Sequence, residues 1–292
     1  AVCVISATAG IEVNTRRMMD RAKEYGLGRM IVINKIDANC DLGGLVGNIQ
    51  ELFGQECEVM NLPAGKGTKV LDCFARDDGE SDFGSVADAH TALIERVVEA
   101  DEALMEEYLE KGELDADKLS GVVGKAIAGG LFVPILFTNA RGAVGVTELL
   151  DVITRYAPSP LEGKQRSLVK GEQETPLVPE AQGKFIGQVF KVFSDPKSNI
   201  KYTVCRIHAG GLKSDAQIHV GEQRKTQRPG QLYVLQGAEH QEIEEAIAGD
   251  LVAMAKLDTQ IGDLMSLDAD LGTIPMPRFP HPMFALAIEP KS

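Results

Sequence analysis

The first third of the chain alternates continuous apolar runs with amphipathic stretches. The runs VCVIS, MIVIN and VPILF occupy residues 2–6, 30–34 and 133–137. Runs of this length, rich in Val and Ile, are typical of strands that are buried on both faces of a parallel sheet. The pattern therefore predicts an α/β domain in which strand, helix and strand follow one another through right-handed crossovers.

Apolar residues at helical spacing predict the helices of this domain. Helices are expected near residues 42–53 and at 146–157. A further helix is expected between Asn14 or Thr15, as its cap, and Gly26. The residues expected on its buried face are Met18, Met19, Ala22 and Tyr25.

Residues 58–128 interrupt this pattern, and we interpret them as a subdomain inserted in the α/β domain. Residues 58–82 are rich in Gly and Asp, and residues 91–111 predict one long helix with an acidic outer face. The insertion holds 17 acidic and 7 basic residues, a net charge of −10 in a chain of net charge −13. Such a charge is compatible with a solvated face or with a contact to another protein.

The pattern changes again after Pro160, where the α/β domain (1–160) is expected to end. Residues 161–182 are interpreted as a polar linker. From residue 183 to 275, short alternating strands separated by Gly-, Asp- and Ser-rich turns predict a small antiparallel β-barrel. The last stretch, 276–292, is interpreted as the first strand of a further, truncated domain, so the chain is predicted to be multidomain.

The composition excludes several classes of protein. Five cysteines without a CxxC pair and five scattered histidines predict neither a disulfide framework nor a metal site. No apolar run is long enough to cross a membrane, and the apolar N-terminus lacks the basic residues of a signal peptide. Residues 184–228 hold 9 basic and 3 acidic residues, and a basic patch of this kind can contact nucleic acid.

The sequence Asn34-Lys35-Ile36-Asp37 directly follows a predicted strand, at the end of a parallel sheet where ligands bind. An ionised carboxylate at Asp37 can accept hydrogen bonds from N1–H and from the exocyclic amine of guanine. Adenine lacks this pair of donors and would leave the charge unpaired. Asn34 can bind the other edge of the base, and the stem of Lys35 can lie across the ring.

A second loop supports this hypothesis. Thr138, Asn139 and Ala140 follow the run VPILF, at the end of another predicted strand. Guanine-binding domains use a tight loop of small residues here, in which a backbone N–H contacts O6 of the base. The two loops together are a far more specific signal than either loop alone, because a four-residue motif often matches by chance.

The sequence does not contain the pattern of residues that binds the phosphates of a nucleotide. The pattern GxxxxGK[ST] is absent: the nearest sequence, Gly65-Lys66-Gly67-Thr68, has Met60 at the first Gly position and Gly67 in place of Ser or Thr. The water-positioning pattern DxxG is matched only by residues 41–44, which are better interpreted as the turn into the next helix.

The sequence is similar to translation elongation factor G over essentially its whole length. The matching segments, in the order of the family, are NKID, the TNA loop with the helix that ends in YAPSP, SDPKSNIKYTVCRIHAG, AGDLVA and FALAIEPKS. The resemblance implies part of a P-loop-type GTPase domain with its insertion, then a β-barrel of the translation-factor type, then the start of a third domain. It implies that the guanine-binding residues are Asn34, Lys35, Asp37, Thr138, Asn139 and Ala140.

The resemblance also implies a ligand, partners and a location. The ligand would be GTP or GDP, with Mg²⁺ in the intact parent, which would be a monomeric, cytoplasmic GTP hydrolase that binds the ribosome. The barrel would contact ribosomal RNA, and the acidic insertion would contact the ribosomal stalk protein. The chain itself is expected to be an internal fragment without the phosphate loop or the Mg²⁺ ligands, and to be inactive alone.

Basic residues in the turns of the barrel are the candidates for RNA contact, because turns can converge where strand alternation would separate them. These residues are Lys197, Lys201, Arg224, Lys225 and Arg228. The barrel shows no interleaving of aromatic and basic residues that would suit stacking on single-stranded bases, so contacts to phosphates of a folded RNA are expected.

Two alternatives stay open at this level. The barrel and the insertion could bind RNA and protein without nucleotide. The parent could be a translocase, a recycling factor or a divergent paralogue. TNA stands where Gly-Ser-Ala is usual in the family, and this departure favours a paralogue. The ending AIEPKS favours the elongation factor G branch over ribosome-protection proteins and release-factor GTPases.

Overall fold

The computed structural model describes residues 1–112, 114–196, 198–223, 225–237, 239–269, 272–277 and 283–289. These residues fold as two units, Ala1–Lys164 and Gln165–Ser292. All helices of the described chain lie in the first unit, and the second unit consists of strands and loops.

The first unit alternates strands and helices along the chain. Its strands are β1 (Val2–Ser6), β2 (Met30–Asn34), β3 (Cys57–Val59), β4 (Asn61–Ala64), β5 (Lys69–Asp72) and β6 (Val133–Thr138). Its helices are α1 (Val13–Glu24), α2 (Leu42–Phe53), α3 (Val86–Val98), α4 (Glu102–Lys111), α5 (Ala116–Gly129) and α6 (Val146–Tyr156).

A four-stranded parallel sheet, in the order β1-β2-β6-β3, forms the centre of this unit. Successive side chains of a strand point to opposite faces, so Ile31 of β2 packs in one apolar core while Met30 packs in another. The register aligns Asn34, at the end of β2, with Thr138, at the end of β6. The predicted parallel α/β fold is confirmed, and both candidate guanine loops lie at one edge of the sheet.

The first helix differs in detail from its prediction. Its cap is Glu12 rather than Asn14 or Thr15, because Glu12 and Thr15 form a reciprocal capping box. Met19 is buried as expected, whereas Met18 is 56% exposed. Adjacent residues lie about 100° apart around a helix, so the two methionines cannot both face the core.

The single helix predicted at 91–111 is two helices, α3 and α4. The carboxylate of Asp101 accepts a hydrogen bond from the N–H of Leu104 at 3.2 Å and caps the second helix. The insertion at about residues 58–128 stays a prediction, and its first two residues overlap the central sheet. Glu58 and Val59 belong to β3, which pairs with β6 in the central sheet.

The second unit is built from antiparallel strands. They are β7 (Ser167–Lys170), β8 (Gln173–Pro176), β9 (Ile186–Ser194), β10 (Lys201–Ala209), β11 (Gly211–Lys213), β12 (His219–Val220), β13 (Leu232–Gln236), β14 (Glu239–Ile243), β15 (Glu245–Ile247), β16 (Leu251–Ala255) and β17 (Leu264–Ser266). Seven of them form one sheet in the order β12-β17-β9-β10-β16-β13-β14. Phe185, Cys205 and Ile207 lie fully buried in its core. The predicted antiparallel domain of short strands is confirmed.

The stretches before and after this sheet differ from their predictions. The segment 161–182, predicted as a polar linker, contains the hairpin of β7 and β8. A strand was predicted in 276–292, but the described residues 283–289 of this stretch form none. Residues 278–282 and 290–292 lie outside the described residues.

Candidate guanine-binding site

Asn34 ties the two loops at the edge of the sheet together. Its Oδ1 accepts hydrogen bonds from the N–H of Ala140 at 3.0 Å and from the hydroxyl of Thr138 at 3.3 Å. Its backbone carbonyl accepts a hydrogen bond from the N–H of Ala7 at 2.8 Å. With Oδ1 used in this way, Nδ2 is a donor that has no partner in the described chain, and it suits the acceptors N7 and O6 of a guanine.

The loop after Asn34 is held by one buried residue between two exposed ones. Ile36 is 3% exposed and packs in the core, and its N–H donates to the carbonyl of Thr138 at 3.3 Å. Lys35 has a φ of 68°, a left-handed conformation that L residues rarely adopt. This conformation directs Ile36 inward while the side chains of Lys35 and Asp37 stay exposed.

The second loop is a tight turn between β6 and α6. Asn139 exchanges backbone hydrogen bonds with Val144 at 2.9 and 3.0 Å. The Oδ1 of Asn139 accepts a hydrogen bond from the N–H of Gly142 at 3.1 Å. Since Asn34 takes the N–H of Ala140, Arg141 is the residue between Asn139 and Val144 whose N–H has no partner in the described chain. Arg141 was not among the predicted residues, because a backbone donor leaves no signal in the sequence.

The arrangement offers complementary groups to a guanine and not to an adenine. The exposed carboxylate of Asp37 can accept from N1–H and from the exocyclic amine, while Nδ2 of Asn34 and the N–H of Arg141 can donate to the opposite edge. A base with the reverse pattern of donors and acceptors leaves these groups unpaired, which is the main source of discrimination in such sites.

Comparison with known families decides what kind of domain carries this site. Residues 1–159, more than half of the chain, match the family described as the elongation factor Tu GTP binding domain. The chain belongs to this family of translational GTPases. Residues 184–267 match the family described as elongation factor G domain 2. The resemblance to elongation factor G is therefore confirmed, and membership of the GTP-binding family implies GTP or GDP as the ligand of the first unit.

Solved structures agree with this assignment. One of those that match is the crystal structure of a protein from Thermus thermophilus, which is 26% identical in sequence and has a TM-score of 0.77 over 96% of this chain. The chain covers 42% of the length of that protein.

No helix among the described residues is long and apolar enough to cross a membrane. The same residues contain no group of three or more His, Cys, Asp or Glu side chains that could hold a metal ion.

The residues predicted to contact RNA are only partly described. Lys197 and Arg224 lie outside the described residues. Lys225 and Arg228 are exposed in the turn that follows β12, and Lys201 is half-buried at the start of β10.

Lys201 and the turn that holds Lys225 and Arg228 both contact one loop of the second unit. Nζ of Lys201 donates to the carbonyl of Thr259 at 3.3 Å and lies 3.8 Å from the carboxylate of Asp258. Gln227, in the turn with the two exposed bases, donates from Nε2 to the carbonyl of Asp258 at 3.0 Å. Lys256 is exposed beside this loop and was missed, because the basic segment of the sequence ends before it.

An aromatic cluster on the same sheet was also missed. Tyr202 stacks on Phe193 at 5.4 Å between ring centroids and meets Tyr233 at 5.9 Å and His240 at 5.1 Å. The four residues come from β9, β10, β13 and β14, so only strand pairing brings them together. Tyr202 is 6% exposed, because the neighbouring rings cover its own ring.

The acidic insertion exposes part of α4. Met105 and Leu109 are 41% and 75% exposed, next to the exposed carboxylates of Glu102 and Glu106. Hydrogen bonds from Lys111 and Lys118 lower the pKa of Glu107 to about 2, so this carboxylate is engaged within the subdomain. The contact with a ribosomal stalk protein stays a prediction.

Proposed function

We propose that the first unit recognises the guanine base of GTP and GDP and that the second unit contacts ribosomal RNA. The parent activity would be that of a cytoplasmic GTPase of the elongation factor G branch, in translocation or a related step on the ribosome. The observation that carries the proposal is the pair of hydrogen bonds to Asn34, which assemble one base site from two loops about a hundred residues apart in sequence.

Each residue of the site has a distinct role in this proposal. Asp37 accepts from N1–H and the exocyclic amine of guanine and excludes adenine. Asn34 fixes the second loop through Oδ1 and donates to the base through Nδ2. Lys35 covers the ring with its aliphatic stem. Thr138, Asn139 and Ala140 shape the turn that presents the N–H of Arg141.

The 292-residue chain is expected to bind GMP and GDP with similar and weak affinity, about 1 mM or weaker. The base contacts are present, whereas the pattern that supplies the phosphate contacts is absent from this sequence. The affinity should therefore depend on the base and little on the number of phosphates. In NMR titrations, GMP should shift the amide signals of residues 34–38 and 138–141, and AMP should not.

The same titrations test the alternative of a module that works without nucleotide. Equal shifts with GMP and AMP, or no shifts with either, would favour that alternative. Micromolar binding of GDP would instead show that other residues of the chain hold the phosphates, and it would contradict the expected division between base and phosphate contacts.

The proposed RNA contact is the basic turn surface, defined here as Lys201, Lys225, Arg228 and Lys256. Lys201 and Gln227 both bind the loop at Asp258 and Thr259, which supports the proposal that the basic residues beside them face one stretch of nucleic acid backbone. Contacts of this kind depend on phosphate charge rather than on base sequence.

Replacing both Lys225 and Arg228 by Ala is expected to weaken binding of the chain to small ribosomal subunits. The slope of log K against log salt should become less steep by about two, since each lost phosphate contact removes about one unit of slope. The matched control is the double replacement of Lys191 and Lys213, two exposed residues outside this surface, which removes the same charge. Equal changes in both variants would show that net charge, and not this surface, attracts the RNA.

A further inference from the structure

The sequence Gly65-Lys66-Gly67-Thr68, which resembles part of a phosphate loop, is the turn of the hairpin formed by β4 and β5. Gly65, Lys66 and Gly67 have φ values of 62°, 60° and 72°. A Cβ on Gly67 would stand 2.5 Å from the carbonyl oxygen of Ile36 and 3.0 Å from the nitrogen of Asp37. The backbone of this turn therefore packs directly against the peptide that joins Ile36 to Asp37 in the guanine loop.

The turn is held in place by one carboxylate. Oδ1 of Asp82 accepts a hydrogen bond from the N–H of Lys66 at 2.8 Å, and Oδ2 accepts one from the N–H of Gly67 at 2.7 Å. These two amides are the groups that a phosphate would use, so the turn does not serve as a phosphate site in this conformation. The other side of the turn, which contacts the peptide between Ile36 and Asp37, is therefore the side that can have a function.

Asp82 is itself fixed to β4 of the hairpin, and the residue that follows it packs on the sheet that carries the second loop. Its N–H donates to the carbonyl of Pro63 at 2.7 Å. The ring of the next residue, Phe83, packs edge-on against the ring of Phe137, with 5.5 Å between centroids. Phe137 directly precedes Thr138, whose carbonyl accepts the N–H of Ile36. The hairpin turn, Asp82 and both guanine loops are thus parts of one contiguous packing network.

We propose that Gly67 and Asp82 are positioning residues for base recognition, acting through the peptide between Ile36 and Asp37. The inference rests on the proposed guanine site. The side chain of Asp37 is exposed and has no hydrogen bond within the described chain, so only the backbone on either side sets its position. A carboxylate whose backbone is fixed before binding loses less conformational entropy when the base arrives. The insertion would then help to set the affinity for guanine.

The experiment uses four single variants of the full chain. Gly67→Ala adds a Cβ that collides with the carbonyl of Ile36, and Asp82→Ala removes the clamp on the turn. Gly84→Ala is the matched control, because Gly84 has nearly the same φ of 70° in the same subdomain but nothing within 4 Å of its added Cβ. Gly67→Asn separates strain from collision, since Asn tolerates left-handed backbone yet carries the same Cβ.

Two readouts are measured on each variant. The first is hydrogen exchange at the amides of Ile36 and Ala38, which should become at least about fivefold faster in both Gly67 variants and in Asp82→Ala, corresponding to about 1 kcal/mol. The second is the affinity for GMP, which should fall about fivefold in the same three variants. Gly84→Ala should leave both readouts unchanged. Recovery of both readouts in Gly67→Asn would show that backbone strain alone is responsible, and would overturn the proposal.

The outcomes separate this inference from the proposed function. Unchanged exchange at Ile36 and Ala38 in all variants overturns the positioning role, whatever the affinity for GMP. Faster exchange with equal binding of GMP and AMP by the unaltered chain would retain the structural coupling and reject the guanine site, and with it the role of Gly67 in base recognition.

Discussion

Replacing Asp37 by Asn is expected to change the base preference of the chain from guanine to xanthine. The amide of Asn presents one acceptor and one donor where the carboxylate presents two acceptors. Its donor would face the exocyclic amine of guanine, which is also a donor, whereas xanthine has a carbonyl at this position. The affinity for GMP should fall by at least about thirtyfold, a loss of about 2 kcal/mol from an unmatched polar pair.

The control for this change is Asp20→Asn, which removes the same charge from an exposed position on α1. It should leave the titration with GMP unchanged. NMR titrations of both variants with GMP and xanthosine monophosphate measure the exchange of preference. If Asp37→Asn lowers the affinity for both nucleotides to the same extent, Asp37 orders the loop but does not discriminate between the two bases.

The arrangement of the guanine loops could be predicted from sequence because each part has a local signal. A buried strand is visible as an apolar run, and the ends of parallel strands of one sheet must meet at one edge. By this rule the sequence predicts that Asn34 and Thr138 lie at the same edge of the sheet, and their alignment in the sheet agrees with this prediction. The turn formed by residues 41–44 was also interpreted correctly, since Asp41 caps α2 by accepting the N–H of Gly44.

The structural features that could not be predicted from the sequence depend on contacts between residues that are distant along the chain or on breaks without a clear signal. The peptide after Ile36 and the turn at Gly67 touch through backbone atoms only, and backbone contacts leave no pattern of side chains. The break between α3 and α4 lacks Gly or Pro, so the helical spacing of apolar residues continues across it and gives no sign of the break. The carboxylate of Asp101 was the available signal, because an acidic residue that begins an apolar repeat is a common helix cap.

Gly145 is the residue on which the turn of the second guanine loop depends most directly. It caps α6 with a φ of 71° and follows the turn that begins at Asn139. A Cβ at this position would overlap the carbonyl oxygen of Phe137 and stand 3.3 Å from Cα of Thr138. Both obstacles are backbone atoms of a central strand, which cannot move aside as a flexible side chain can. Any side chain here must therefore displace either the helix or the loop.

Gly145→Ala is expected to lower the free energy of unfolding of the first unit by about 3 kcal/mol, from left-handed strain and overpacking together. Gly84→Ala carries similar strain in open space and should cost only about 1 kcal/mol. Gly47→Ala, at an exposed position inside α2 with nothing within 4 Å, should stabilise by about 0.5–1 kcal/mol. Urea denaturation followed by helical circular dichroism measures all three, because the described helices belong to the first unit. A loss in Gly145→Ala no greater than in Gly84→Ala would mean that the loop relaxes without cost, and the close packing of Gly145 on β6 would then not be what holds the guanine loop in its turn.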